Sequence, residues 1–251
     1  MKKFLNRLGF GVALEDAPQL VEATSRDVNG AELSVAYFSG RNGGDFYEII
    51  RVAPHRLLFG LLDIAGKRTD SRPILSAAQS TFRAAGAELF ARSELNEAEA
   101  MVELSRRLNL EIMRAAGGVH SCPAFAGCYN EELGTVCYVN AGHTPGLLCD
   151  HQSMEELPAT GLPLGLFSLA PTDARIVGLG PDSCLAVVSR GVVEAQCQKE
   201  EFGLDGVKHV LRSKPPSAAE LSRGILEQVQ SFMCAYPKHN DVTALGLRRA
   251  D

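Results

Sequence analysis

The sequence predicts an α+β fold built mostly of antiparallel sheet, in a single domain. Three observations predict it. Strand-like segments come in runs joined by short turns, two helical segments stand together in the middle, and a further helix comes late in the chain. Strand and helix alternate too seldom for a doubly wound parallel sheet.

The first run of strands is "ELSVAYF", "FYEIIRVA" and "RLLFGLLDIAG". A helix over residues 73–92 follows, alanine-rich and apolar enough to be largely buried. The next helix opens at Asn96, a good cap with Glu99 three places on, and sets Met101, Leu104, Leu108 and Ile112 on one face. Gly117 and Gly118 break it. "AFAGCY" and "TVCYVNAG" then form a hairpin through "NEELG", and "GLLCD" and "EELPA" form another around "HQS". "CLAVVS" is one more strand. "PPSAAELSRGILEQVQSFM" is a helix with a Ser217–Glu220 capping box and Leu221, Ile225, Val229 and Phe232 on one face. "VTALGLR" closes the chain as a strand. No internal repeat or long linker interrupts it, so residues 26–251 read as one domain and residues 1–25 as an N-terminal leader.

Composition narrows the partners. With 25 basic and 30 acidic residues the net charge is −5, which gives no basic field for nucleic acid. "MKKFLNRLGFGVAL" begins like a signal peptide, but Asn6 and Arg7 break its apolar run and no small-residue cleavage site follows. No stretch of about 18 apolar residues is present to span a bilayer. The seven cysteines form no CxxC pair, and Cys128, Cys137 and Cys184 lie in apolar stretches, which predicts reduced thiols in a cytoplasmic protein.

The common catalytic motifs fail. In "GLLDIAGKR" the glycines are spaced wrongly for a phosphate loop, and Arg68 follows Lys67 where Ser or Thr is required. There is no HExxH and no GxSxG. Two aspartates stand out by position: Asp45 starts a strand after two glycines, and Asp63 ends an apolar strand before a turn. Either alone is commonly a turn residue. Converging strand-end carboxylates, however, are a usual way to hold hard divalent ions.

Seven segments, in order and at sensible spacings, carry a resemblance: "GGDFYEII", "LLFGLLDIAGK", "YVNAGHTPGLL", "ATGLPLGLF", "SRGVVEA", "EFGLDGV" and "NDVTALGLR". Together they resemble the metal-dependent PPM-type serine/threonine phosphatases, in the bacterial branch of sporulation and stress-sigma-factor regulators (SpoIIE-like). The resemblance covers residues 30–249. It implies an α-β-β-α sandwich of two antiparallel sheets flanked by helices. It also implies two Mn²⁺ or Mg²⁺ ions that activate a water against a phosphoserine or phosphothreonine, and an anti-sigma-factor antagonist as the phosphoprotein partner. By resemblance Asp45 and Asp63 are catalytic metal ligands, with the Ile64 carbonyl as a further ligand. The family's "TDG" falls on Ser189–Arg190–Gly191, so its metal-binding aspartate is Arg190 here. Its closing "DD[IV]T" falls on Asn240–Asp241–Val242–Thr243, so its first aspartate is Asn240. His143, Thr144 and Glu194 match family positions that read as structural.

Arginine for aspartate turns a ligand into a repeller. At ~4 Å and an effective dielectric near 20, a unit charge against a divalent ion is worth about 8 kcal/mol. Asn240 keeps an oxygen but no charge. Asp241 is a candidate substitute ligand, although a one-residue shift is expected to turn it to the other sheet face; Asp70, in the next loop, is another carboxylate within range of the turn. Lys67, Arg68 and Arg190 are candidate anion-binding residues, since arginine grips phosphate through a bidentate fork.

Three readings stay open. The leading one is a pseudophosphatase in bacterial signalling, impaired in two-metal hydrolysis, that binds a phosphoprotein or other anion. The second is an active Mn- or Mg-dependent phosphatase. The third is a structural interaction protein in which Arg190 pairs with Asp45 or Asp63 and no cofactor binds.

Overall fold

The structure, a computed structural model, describes residues 21–28, 30–38, 44–64, 66, 68–92, 94–150, 152–233 and 240–250. Two antiparallel sheets face each other, with helices on both outer faces. One sheet comprises β3 (Gly44–Ala53), β4 (Arg56–Ile64), β5 (Ala124–Asn130), β6 (Thr135–Ala141) and β9 (Arg175–Gly178), in that order. The other runs β1 (Val21–Val28), β2 (Ala31–Phe38), β13 (Val242–Arg249), β10 (Cys184–Val188), β7 (Gly146–Cys149) and β8 (Met154–Leu157). The sandwich expected from the resemblance is the observed architecture.

Strand parity builds the three layers of core. In β4, Leu57, Phe59 and Leu61 point between the sheets, whereas Leu58, Leu62 and Ile64 point to the helices. In β10, Leu185 and Val187 face the partner sheet and Cys184, Ala186 and Val188 face away. In β13 the inward residues are Leu245 and Leu247, and the outward ones Val242 and Ala244. Helices α1 (Arg68–Phe90) and α2 (Glu97–Ala116) cover the five-stranded sheet. Helices α4 (Gly203–Arg212) and α5 (Ala218–Phe232) cover the six-stranded one. Each fully buried leucine or phenylalanine in these layers contributes about 2 kcal/mol of transfer free energy.

The helix signals work as physics predicts. The Asn96 side chain accepts from the Glu99 backbone N–H at 3.3 Å, and Gly117 ends α2 in the left-handed region at φ 65°. The Ser217 hydroxyl accepts from the Glu220 N–H at 3.0 Å. Helix α1 starts at Arg68, five residues before the expected Pro73, so the proline lies inside it. At that depth the missing N–H costs one early backbone bond.

Strand β1 runs across the boundary expected between leader and domain at residue 26, with Val21, Glu22 and Ala23 paired to Tyr37, Ala36 and Val35 of β2 ahead of a bulge. Residues 1–20 of that leader lie outside the described residues. Cys122, Cys128, Cys137, Cys149 and Cys184 are free thiols, as expected. Cys197 is disulfide-bonded, which departs from the expectation of reduced cysteines throughout. No helix among the described residues is long and apolar enough to cross a membrane.

Candidate functional site

Asp45 and Asp63 are direct partners in the β3–β4 ladder. Asp63 has the parity of Leu57, Phe59 and Leu61, and Asp45 that of Tyr47 and Ile49, so both carboxylates enter the space between the sheets. Paired like charges at this spacing destabilise a sheet unless something compensates.

The compensation comes from the opposite sheet. The Thr243 hydroxyl donates to Asp45 Oδ2 at 2.6 Å. The Asp45 backbone N–H donates to Asp241 Oδ2 at 3.2 Å. The Arg190 backbone N–H donates to the Asp63 carboxylate, 3.1 and 3.4 Å from its two oxygens. Arg190 opens the short helix α3 (Arg190–Val193), and the turn is tied to β13 from both directions. The Ser189 N–H donates to the Thr243 carbonyl at 2.9 Å, and the Thr243 N–H donates to the Ser189 hydroxyl at 3.0 Å. Gly191 is required here, because a Cβ at that position would stand 2.0 Å from the Asp241 carbonyl oxygen.

Asp241 corrects one expectation. Rather than facing away, it shares the parity of Thr243, Leu245 and Leu247 and turns its carboxylate into the site, where it is buried. The face that β13 offers to the site belongs to Asp241, and Asn240 is its neighbour at the rim of the same cavity. The cavity has about 10 Å³ of room and is lined by Asp45, Asp63, Ile64, Arg190, Asn240 and Asp241, with Gly191 completing the wall. That volume accommodates one water-sized occupant.

Charge in the cavity is crowded. The Asp45 carboxyl is pushed well above its ordinary value of 3.8, first by burial and then by the charges of Asp63 and Asp241, against the hydrogen bonds from Thr243 and Ser189. Among the described residues no group of three or more His, Cys, Asp or Glu side chains is arranged to hold a metal ion. The present spacing is set by the N–H and hydroxyl donors. The groups that line the cavity, three carboxylates and Ile64 with its carbonyl, offer hard oxygens, the donor chemistry that a divalent cation of the Mg²⁺ or Mn²⁺ kind would require.

Of the cations expected to gather at the site, Arg190 alone has its side chain among those described. Its guanidinium is 44% exposed and lies 3.6 Å from Glu194 Oε2, so the side chain pairs with neither Asp45 nor Asp63, and Glu194 gains a partner role. Lys67 lies outside the described residues; Arg68 begins α1, and its side chain and that of Asp70 lie outside them too.

One residue read as structural lies against Asp63. His143, in the loop between β6 and β7, is fully buried with Nε2 3.6 Å from Asp63 Oδ2. Burial lowers its pKa, against the opposing pull of Asp63, which favours neutral imidazole. In the sequence its signal was a match to a family position in the turn between two strands.

Comparison with known proteins places these features in a wider group. Residues 53–250 match the family model described as stage II sporulation protein E (SpoIIE). The chain is 26% identical over 205 residues to phosphoserine phosphatase RsbP of Bacillus subtilis (strain 168), covering 81% of this chain and 48% of RsbP. The chain thus spans about half the length of that curated relative. Among solved structures, it is similar to the RsbU and RsbW domains of Rv1364c from Mycobacterium tuberculosis, with TM-score 0.71, 19% identity, and 88% of this chain and 60% of that one covered. It is also similar to the SiaA-PP2C domain of Pseudomonas aeruginosa, with TM-score 0.67, 17% identity, and 87% and 86% covered. At these identities the two structures support the fold.

Proposed function

The chain belongs to the SpoIIE family, and from that premise we propose a phosphatase-type signalling domain that takes a single divalent cation and binds a phosphorylated protein with impaired turnover. The observation that carries this reading is the replacement at residue 190. Where the resemblance places a metal-binding aspartate, the chain offers Arg190, whose backbone N–H holds Asp63 and whose guanidinium stands at the surface beside the acidic cavity. A bound Mn²⁺ or Mg²⁺ would neutralise phosphate charge and lower the pKa of a water in the site.

The residues then divide the work. Asp45, Asp63 and Asp241 hold the cation, and the Ile64 carbonyl adds a neutral oxygen. Thr243 and the Arg190 N–H orient the first two carboxylates. The Arg190 guanidinium offers the two-pronged donor that suits a phosphate monoester. Phosphoserine on a regulatory protein, of the anti-sigma-factor-antagonist type, is the substrate class supported by likeness to a phosphoserine phosphatase and to RsbU and RsbW domains.

A second reading, a working enzyme, is favoured by Asp241, which restores a third carboxylate to the site although Asn240 is neutral. One experiment separates the two. Manganese-dependent hydrolysis of an aryl phosphate is compared between the natural protein and the Arg190→Asp/Asn240→Asp double variant, with Mn²⁺ stoichiometry measured by calorimetry. One ion and slow turnover in the natural protein, rising to two ions and at least about 100-fold faster turnover in the variant, is the expected result. Equal turnover in both, abolished by Asp63→Ala, would establish the working enzyme instead.

A further inference from the structure

Three sulfur-bearing side chains stand abreast on the outer face of the six-stranded sheet. Cys184 of β10 lies directly across the ladder from Cys149 of β7, and Cys149 lies directly across from Met154 of β8. Residues opposite one another in an antiparallel pair share a face, with Cβ atoms about 4.5–5.5 Å apart. That face is the one covered by α4 and α5, where Cys184 is buried and Cys149 and Met154 are partly buried. The two thiols are hydrogen-bonded to each other, and the Cys149 thiol also donates to the Asp150 carbonyl at 3.6 Å.

A second cross-strand pair shows what packing alone looks like. Cys128 and Cys137 are direct partners between β5 and β6, but both are fully enclosed in the core beneath α1 and α2. There they serve as small apolar side chains. The pair at β7 and β10 differs in two ways. Cys149 is partly exposed, which gives a path of entry. Cations also act on the pair, Arg212 and Lys214 on Cys149 and Arg248 on Cys184, against the charge of Asp150 beside Cys149.

The donors select the ligand. Two thiols and a thioether are soft, and favour a soft cation over the hard ions suited to the acidic cavity. Burial pushes both thiols up, Cys184 to about 12, so neither is a ready thiolate for attack on an oxidant. A cation engages them differently, because each metal–thiolate bond forms with release of the thiol proton. Two thiolates around a monovalent ion leave a net negative charge, which Arg212, Lys214 and Arg248 offset.

We infer that Cys149, Cys184 and Met154 form a binding site for a soft monovalent cation of the Cu⁺ kind. Cu⁺ and two thiols give a dithiolate complex and two protons, with no change of oxidation state, and the thioether adds a neutral donor. Cys184 opens β10 and Arg190 follows its far end, so the acidic cavity takes no part. A bound ion would fasten β8 and β7 to β10.

The test offers Cu⁺, kept reduced by ascorbate, to the folded protein in competition with the coloured chelator bicinchoninate. The natural protein is expected to withdraw one equivalent and to return all its free thiols when the copper is stripped. Cys149→Ser and Cys184→Ala are expected to withdraw none at this site, and Met154→Leu to bind several-fold more weakly. Cys149 is partly exposed, so its serine variant keeps the fold and decides the matter even if Cys184→Ala does not fold. No withdrawal by the natural protein, or unchanged affinity in any one of the three variants, overturns the three-sulfur site. Loss of two thiols with no copper held also overturns it, and makes the pair an oxidisable one instead.

Discussion

Asp45 sits directly across the β3–β4 ladder from Asp63, and both carboxylates point into the space between the sheets. Nothing in strand propensity favours that pairing. It makes sense as a place where negative charge is concentrated for a ligand to use.

The pairing should be visible in stability without any ligand. The Asp45 carboxyl is raised, so below its ordinary value of 3.8 it is protonated in folded and unfolded chains alike and carries no penalty. As pH rises through the raised folded value, the folded chain must release the proton into a crowded site, and stability falls. Asp45→Asn removes that dependence. Without metal at neutral pH the variant is expected to melt a few degrees higher, corresponding to about 1 kcal/mol, with the gap closing as pH approaches 4. Added Mn²⁺ should raise the melting temperature of the natural protein and leave the variant unmoved. Melting curves at several pH values, with and without Mn²⁺, check both statements.

Arg190 touches Asp63 through its backbone and Glu194 through its side chain. Arg190→Ala is therefore expected to change stability by less than about 0.5 kcal/mol, as for other exposed ion pairs. Mn²⁺ affinity should be largely retained. Affinity for a phosphoseryl peptide should fall several-fold, and the remaining affinity should depend less on salt. Calorimetry with peptide and metal in turn separates the two effects.

The two residues at 240 and 241 should behave oppositely. Asp241→Asn removes a buried carboxylate that accepts from the Asp45 N–H, and Mn²⁺ binding is expected to weaken at least about tenfold. Asn240→Ala should weaken it far less. A reversed outcome in Mn²⁺ titrations would return the ligand role to residue 240.

Gly191→Ala tests the frame behind the side chains. The added methyl would meet the Asp241 carbonyl oxygen at 2.0 Å, a backbone atom that can move only with β13. A loss on the order of 3 kcal/mol is expected, roughly 6–12 °C in melting temperature, together with loss of Mn²⁺ binding. Thermal denaturation followed by titration of the folded fraction measures both.

Much of this was legible in the sequence because local patterns and ordered blocks agreed. The capped helices at Asn96 and Ser217, the hairpin through residues 130–134 and the apolar strand ending at Asp63 all carried their own signals. Strands β1 and β9 did not, since "VEATSRDV" is polar and Arg175–Gly178 is a short, largely exposed edge. Such strands form because a neighbour offers a ladder to join. Helix α4, four residues of α3 and the small β11–β12 pair (Gln196–Cys197 with Glu200–Glu201) were likewise missed.

Asp45, Asp63, Ile64, Arg190 and Asn240, which the resemblance assigns to ligand positions, line one cavity. The direction of Asp241 was misread because the face of β13 was assigned from a shifted register, whereas Leu245 and Leu247 fix it independently. The nearness of His143 to Asp63, eighty residues earlier in the chain, is a relation that no local pattern encodes.

The turn at residues 189–191 has a consequence for how this protein can change over generations. Its shape is fixed by Ser189 bonds to β13 and by the bare α-carbon of Gly191, while the side chain of residue 190 projects outward to Glu194. Chemistry and architecture are therefore written in different atoms. A lineage can exchange the side chain at 190 and keep the same turn, because the backbone bonds that shape it come from other atoms. The pocket is thus carried by the strands that wall it, and residue 190 sets only what stands at its mouth.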